Sequence, residues 1–286
     1  LPGGAEIEMK VLILTSQVDD PAQIGDAPQL EAAKAMFDNI GMPYEVYLYD
    51  DANPSLPVLE SGIVAKYQGI LLPISDSRLL DPFAGNPLAQ RLARYQFKYG
   101  VRVASLYGWP DDGACLSAVG YRDTTDSPLN ATLTTTGKAT FPYMRAGSAS
   151  TTPLPINGAW TYFANAAAPL PSGTTVTPLL RAKASDGQTH TLIATCKFNN
   201  TAPLSGDNAN REILMATFDN NPYLMHTVTL SHGLLNWLTK GIMLGQRRVY
   251  IDPQVDDLGL PNDRFPYDST RGTWHDASTT PWTELG

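Results

Sequence analysis

Residues 10–15 read Lys10-Val-Leu-Ile-Leu-Thr15, and this short apolar run decides the fold. A run of this kind is typical of a strand buried on both faces of a sheet. Residues 29–40 then carry apolar side chains at helical spacing, and Gly41 ends the predicted helix. A strand followed directly by a helix is the repeating unit of folds with parallel sheets.

The same alternation recurs on both sides of a long interruption. The further predicted elements are strands over 44–49, 67–73, 101–107 and 212–218 and helices over 87–98 and 223–239. Right-handed crossovers between such strands give a parallel sheet. We therefore predict an α/β domain of flavodoxin-like type over residues 9–115 and 206–244.

The interruption, residues 116–205, has a different composition. It is rich in Thr, Ser, Ala, Pro and Gly, and short alternating apolar runs are separated by turn residues such as Ser185-Asp-Gly187. This pattern is typical of β-hairpins and contains no convincing helix. We predict a β-sandwich-like insert here, a candidate carbohydrate-binding module.

Composition excludes several classes of protein. The 286 residues are 43% hydrophobic and 17% charged, which excludes a disordered chain, a coiled coil and a collagen. The net charge of −8 argues against binding to nucleic acid or to an anionic membrane, and suits a cationic polymer. No apolar run has the length of a membrane span, and the first residues are typical of a mature end without a signal peptide.

Two kinds of covalent modification are compatible with the sequence. Cys115 and Cys196 allow one disulfide, although a buried thiol is the other use open to Cys115. The sequons at Asn130 and Asn199 would carry N-glycans if the chain is secreted.

Most catalytic signatures are absent from the sequence. No Gly-x-Ser-x-Gly elbow surrounds Ser105 or Cys115, no glycine-rich phosphate loop follows residues 10–15, and no His-x-x-x-His pair occurs. A hydrolase using Ser105 or Cys115 as nucleophile is kept as an alternative.

Aromatic residues in and beside the insert suggest sugar binding. Rings of Trp and Tyr stack on the apolar faces of sugars, while carboxylates and amides bind the hydroxyls. The candidates are Trp109, Tyr143, Trp160 and Tyr162, within a group that also contains Tyr121. The competing interpretation is that these rings fill the cores of their own strands.

Two adjacent carboxylates, Asp256 and Asp257, follow the apolar run Arg247-Arg-Val-Tyr-Ile-Asp252. Successive residues leaving a strand point in different directions, so one carboxylate can face a metal and the other a substrate. The segment Gln254-Val-Asp-Asp-Leu258 resembles the first motif of NodB-type polysaccharide deacetylases, Thr-Phe-Asp-Asp-Gly. The resemblance implies that Asp256 is the catalytic base and that Asp257 is a ligand of a divalent metal, with zinc expected in the complete enzyme.

The order of the three passages is similar to that of secreted fungal deacetylases of galactosaminogalactan, an exopolysaccharide of biofilms. An α/β domain like those of class I amidotransferases, a β-rich insert and the start of a deacetylase (β/α) barrel at 245–286 together cover the chain. The family carries a carbohydrate-binding module and acts on N-acetylgalactosamine units. The His-[Ser/Thr]-x-x-x-His motif that completes the metal site does not follow Asp257.

The sequence thus predicts the exopolysaccharide-recognising part of a secreted, metal-dependent polysaccharide deacetylase. The chain alone is catalytically incomplete and is expected to bind no metal. Its expected partners are the acetylated or partly deacetylated polymer and the remainder of the deacetylase domain, outside the cell or in the cell wall. The second alternative is a structural scaffold that orients the catalytic domain and contacts no sugar.

Overall fold

A computed structural model of the chain describes residues 4–17, 27–81, 85–111, 113, 115–144, 153–170, 173–199 and 210–245, and four short strands after residue 262. The helices are α1 (Pro28–Ile40), α2 (Ser77–Leu80), α3 (Pro87–Tyr99), α4 (Thr135–Thr140) and α5 (Met225–Leu238). The strands up to residue 245 are β1 (Glu6–Ile7), β2 (Val11–Thr15), β3 (Tyr44–Leu48), β4 (Glu60–Ser61), β5 (Val64–Ala65), β6 (Gly69–Ile74), β7 (Arg102–Tyr107), β8 (Leu116–Asp123), β9 (Leu129–Leu133), β10 (Leu154–Ile156), β11 (Trp160–Ala166), β12 (Thr174–Lys183), β13 (Thr189–Phe198) and β14 (Arg211–Ala216).

Five parallel strands form one half of the main sheet, in the order β3-β2-β6-β7-β14. The strand β2 is buried on both faces, as its apolar run predicts. Val11 and Ile13 pack into the core beneath α1 and α5, whereas Leu12 and Leu14 pack into the core beneath α3. Helices therefore cover both faces, which is the usual arrangement around a parallel sheet. The structure confirms a mixed α/β fold.

The predicted helix ends agree closely with the structure. The helix α1 ends at Gly41, which has a φ of 74°, and α3 ends at Gly100, which has a φ of 66°. Glycine suits these left-handed positions because it has no Cβ. The side chain of Asn86 caps the start of α3 by accepting a hydrogen bond from the backbone N–H of Leu88.

The β-rich passage extends the parallel sheet rather than forming a sandwich of its own. The strand β13 pairs antiparallel with β14, and β12, β9 and β10 continue the sheet outward in that order. The backbone N–H and C=O groups on the outer side of β14 would be unpaired if the sheet ended there, and β13 pairs with them. The expected sandwich-like insert over 116–205 is thus corrected to a continuation of one sheet. The passage also contains the short helix α4, where no helix was predicted.

The chain divides into two compact units, residues 1–247 and residues 248–286. In the second unit, β15 (Asp263–Arg264) pairs antiparallel with β18 (Thr283–Glu284), and β16 (Tyr267–Asp268) pairs antiparallel with β17 (Thr273–Trp274). The predicted start of a barrel at 245–286 stays a prediction. Among the described residues, no helix is long and apolar enough to cross a membrane.

Candidate functional site

The site lies at the edge of the sheet where the five parallel strands reach their carboxyl ends. The strand β13 runs past the end of β14 and pairs there with β11, through Ala164 and Thr191. The turn after β14 fixes β11 further, because Thr217 Oγ1 donates to the carbonyl of Tyr162 at 2.7 Å. The backbone N–H of Asp219 donates to the carbonyl of Trp160 at 2.8 Å. The paired strands β8 and β11 therefore stand beside the carboxyl edge.

Five aromatic side chains lie on this ladder and on the end of β7. They are Tyr107, Trp109, Tyr121, Trp160 and Tyr162, and we call them the aromatic wall. Tyr162 stacks on Tyr107 with ring centroids 5.9 Å apart, and Trp109 meets Tyr162 edge-on at 4.9 Å. Tyr121 stacks on Trp160 at 4.9 Å.

The aromatic wall is accessible to solvent. Trp109 is 46% exposed, Tyr121 67% and Trp160 38%, whereas Tyr107 and Tyr162 are half-buried. Contiguous exposed aromatic surface of this kind marks a binding site more often than a core that is poorly covered. Tyrosine and tryptophan combine an apolar ring with a polar group, which suits ligands that have both apolar faces and hydroxyls.

Asp219 lies beside the aromatic wall, three residues after the end of β14. Its Oδ1 accepts hydrogen bonds from the side chain of Gln29 and from the backbone N–H of Asn220. Asn220 is itself anchored, because its Nδ2 donates to the carbonyl of Leu106 on β7 at 2.7 Å. Asp219 is thus a fixed carboxylate rather than a mobile surface group.

Two neighbours of Asp219 have shifted pKa values. Burial, the hydrogen bond to Tyr162 and the charge of Asp219 all raise the pKa of Tyr107, so its hydroxyl stays protonated. Burial lowers the pKa of His226, whose ring lies 3.1 Å from the carbonyl of Asp219. His226 is therefore neutral at pH 7 and does not neutralise the carboxylate.

A polar cavity of about 280 Å³ lies on the same edge, at the ends of β2, β3 and β6. The chain passes from β2 to β3 on one side and then to β6 on the other, and ligands of open α/β sheets bind at such a switch in strand order. Asp76 is the buried carboxylate of this cavity and accepts hydrogen bonds from Tyr49 and Arg78. Burial opposes its charge, but these hydrogen bonds outweigh burial and lower its pKa.

Side-chain hydrogen bonds connect the cavity with Asp219. Gln17, which lines the cavity, donates from Nε2 to Gln29 Oε1 at 2.8 Å, and Gln29 in turn donates to Asp219. The polar cavity, Asp219 and the aromatic wall therefore share one edge of the sheet. Together they offer carboxylates, amides, hydroxyls and exposed rings, the groups that bind polyhydroxylated ligands.

The structure brings together three of the four predicted sugar-binding residues. Trp109, Trp160 and Tyr162 belong to the aromatic wall, but Tyr143 does not. The hydroxyl of Tyr143 donates to the carbonyl of Thr229 and accepts from the backbone N–H of Gly233, each at 2.9 Å. Tyr143 therefore packs against α5, and its hydrogen bonds are used within the fold.

Neither Ser105 nor Cys115 is available as a nucleophile. Ser105 is fully buried in β7, and its hydroxyl donates to the carbonyl of Tyr107. Cys115 is bonded to Cys196, with an S–S distance of 2.02 Å, so neither cysteine is a free thiol. A thiolate, and not a disulfide, is the nucleophilic form of cysteine.

The remaining predicted residues are the two sequon asparagines and the two adjacent aspartates. Asn130 is exposed on β9, and the side chain of Asn199 donates to the carbonyl of Gly173 at 3.0 Å. Asp256 and Asp257 lie outside the described residues. Among the residues that the structure describes, no group of His, Cys, Asp and Glu is placed to hold a metal ion.

Comparison with known families shows which family the chain belongs to. A family model described as Agd3 CBM87 matches residues 7–202, a range that includes the whole aromatic wall. The chain belongs to the Agd3 CBM87 family. This family of carbohydrate-binding modules confirms the resemblance predicted from the sequence. No curated protein matches the chain.

A solved structure shares the fold of this chain. The crystal structure of Agd3, described as a novel carbohydrate deacetylase, matches with a TM-score of 0.68 and 21% identity, over 95% of this chain and 38% of that one. The chain therefore spans well under half of that deacetylase. A beta-galactosidase from Rahnella sp. R3 matches with a TM-score of 0.46 and 9% identity, over 82% of this chain and 32% of that one.

Proposed function

We propose that the chain binds a polysaccharide along the carboxyl edge of its sheet, with the aromatic wall as the stacking surface. The observation that carries this proposal is the cluster in which Tyr107 and Trp109 both contact Tyr162, beside the fixed carboxylate of Asp219. Membership of a carbohydrate-binding family supports it.

The length of the edge favours a polymer over a single sugar. The cavity at Asp76 lies at the ends of β2 and β6, whereas the aromatic wall lies on the end of β7 and on β8 and β11, which stand beside the end of β14. Neighbouring strands are about 4.8 Å apart, so the two regions span roughly 15 Å. We infer that several consecutive sugar units lie across the strand ends.

We further propose that the chain is the recognition region of a secreted, metal-dependent deacetylase of an N-acetylgalactosamine-containing polymer such as galactosaminogalactan. The family and the resemblance of Asp256-Asp257 to the NodB motif support this. In that proposal Asp256 is the base and Asp257 binds a divalent metal such as zinc. The strand order β3-β2-β6-β7-β14 supports a flavodoxin-like domain.

The proposed binding site is tested by comparing two aromatic variants. Trp160→Ala removes an exposed ring of the aromatic wall, whereas Tyr143→Phe alters a tyrosine that lies outside it. Affinity electrophoresis in gels containing partly deacetylated galactosaminogalactan should show reduced retardation for Trp160→Ala and unchanged retardation for Tyr143→Phe. If the wild-type chain is not retarded by any degree of acetylation, the scaffold alternative replaces this proposal.

A further inference from the structure

Asp219 presents a carboxylate oxygen that the fold does not use. Its Oδ1 accepts the hydrogen bonds from Gln29 and Asn220, and within the described part of the chain Oδ2 accepts none. The same residue forms no ion pair with lysine or arginine among the described residues. The half-buried carboxylate thus keeps one free acceptor oxygen.

The rings beside Asp219 also favour a positively charged ligand. The faces of aromatic rings carry negative electrostatic potential and attract ammonium groups, and Trp109, which meets Tyr162 edge-on, is 46% exposed. His226, the titratable group that contacts the backbone of Asp219, is neutral because burial disfavours its charge. Burial and the charge of Asp219 raise the pKa of Tyr107, so its hydroxyl stays protonated and Asp219 is the acidic side chain of this cluster.

We propose that Asp219 and the three rings select sugar units whose amino group is free and protonated over units whose amino group is acetylated. This inference rests on the proposed function, and it names the chemical class of sugar that the site prefers. A protonated amine supplies three donors and a positive charge to Oδ2 and to the ring faces. An N-acetyl group supplies one donor, no charge and a carbonyl oxygen that the carboxylate repels.

The preference predicts which form of the polymer the chain retains. A polymer carrying both acetylated and free amino sugars is held through its free units, and fully acetylated polymer is held through stacking alone. The chain would therefore bind the product of a deacetylation more tightly than its substrate. Any activity attached to this region would be kept near polymer that is already partly deacetylated.

The experiment compares two probes that differ only in acetylation. The probes are a hexosamine oligomer with free amino groups and the same oligomer after complete N-acetylation, titrated by calorimetry at about pH 7, where amines with a pKa of about 8 are mostly protonated. For the wild-type chain we expect affinity for the free oligomer to be at least about tenfold higher, since charge-assisted bonds are worth that much. Asp219→Asn keeps the shape of the side chain and should reduce the preference below about threefold.

Controls separate this inference from the proposed function. Asp126→Asn removes the same charge at an exposed position and should leave the preference unchanged. Equal wild-type affinity for both probes overturns the charge preference and leaves polysaccharide binding intact, whereas binding of neither probe overturns both. A preference that survives in a folded Asp219→Asn chain contradicts the assignment to Asp219. Raising the pH until the amine is neutral should abolish the wild-type preference without any mutation.

Discussion

Replacing Trp109 by alanine should weaken polysaccharide binding about tenfold while the fold persists. Trp109 is 46% exposed, so close to half of its ring surface is free to meet a ligand. A tryptophan side chain presents up to about 250 Å², which leaves roughly 115 Å² accessible. A sugar on one face covers about half of that area, and at about 25 cal/mol per Å² this burial contributes about 1.4 kcal/mol.

The cost to stability can be measured separately. Trp109→Ala loses the edge contact with Tyr162, worth about 1 kcal/mol, and about 135 Å² of buried ring surface, worth about 3 kcal/mol. In a domain of this size a loss of about 4 kcal/mol corresponds to a fall of about 8–16 °C in the unfolding midpoint. The chain should therefore remain folded at 25 °C, and the loss of affinity is then attributable to the missing ring.

Isothermal titration calorimetry with a partly deacetylated galactosaminogalactan oligosaccharide provides the assay. Phe97→Ala is the matched control, because Phe97 is 37% exposed and lies near the end of α3 that leads into β7, at the opposite edge of the sheet. It should bind like the wild type. The reasoning is refuted if Trp109→Ala is folded and binds within about twofold of the wild type, or if Phe97→Ala loses as much affinity.

Three further predictions concern the framework of the site. Cys115→Ser removes the disulfide to Cys196, which joins residues 81 positions apart. The free energy of unfolding in urea titrations should fall by about 4 kcal/mol, and an unchanged unfolding midpoint would contradict this. Gly233→Ala places a Cβ 2.2 Å from the buried ring of Phe141 and should lower the free energy of unfolding by about 1–3 kcal/mol in thermal unfolding. An unchanged unfolding midpoint would contradict this, because the ring would then have moved aside at no cost. Folding lowers the pKa of Asp76, so the stability that its charge contributes is present at neutral pH and is lost as the pH falls below about 4. Asp76→Asn should therefore flatten the dependence of stability on acid pH. An unaltered pH profile would show that Asp76 does not cause that dependence.

The parallel half of the fold could be predicted from local patterns. The strand β2 is a continuous apolar run, and α1 and α3 combine helical spacing with a terminal glycine, so each element is specified within its own residues. The antiparallel half was predicted less well. The passage reads as hairpins, but only long-range pairing with β14 decides that it joins the same sheet.

Three elements of that half, β8, β10 and α4, were not predicted, and two of them have an identifiable reason. The strand β8 lacks a clear alternating pattern, because a bulge shifts its register with β11 between Phe163 and Ala164. The helix α4 is rich in threonine and includes Gly137, where a Cβ would lie 2.0 Å from the carbonyl of Leu179. Close packing against β12, and not helix propensity, requires glycine there.

The candidate site was predicted in part. Trp109, Trp160 and Tyr162 were identified by residue type, but their meeting with Tyr107 depends on where β13 passes the end of β14. Asp219 was not singled out, although a polar residue just after an apolar parallel strand is the signal that could have found it. Tyr143 shows the limit of residue type alone, since its ring and hydroxyl serve packing against α5.

A crystal structure of the chain with a bound, partly deacetylated oligosaccharide tests the central claim most directly. The account predicts a sugar ring stacked on Trp109 or Tyr162, an amino group within hydrogen-bonding distance of Asp219 Oδ2, and further units toward the cavity at Asp76. Density for the oligosaccharide at any other surface, with the carboxyl edge of the sheet left empty, would contradict it.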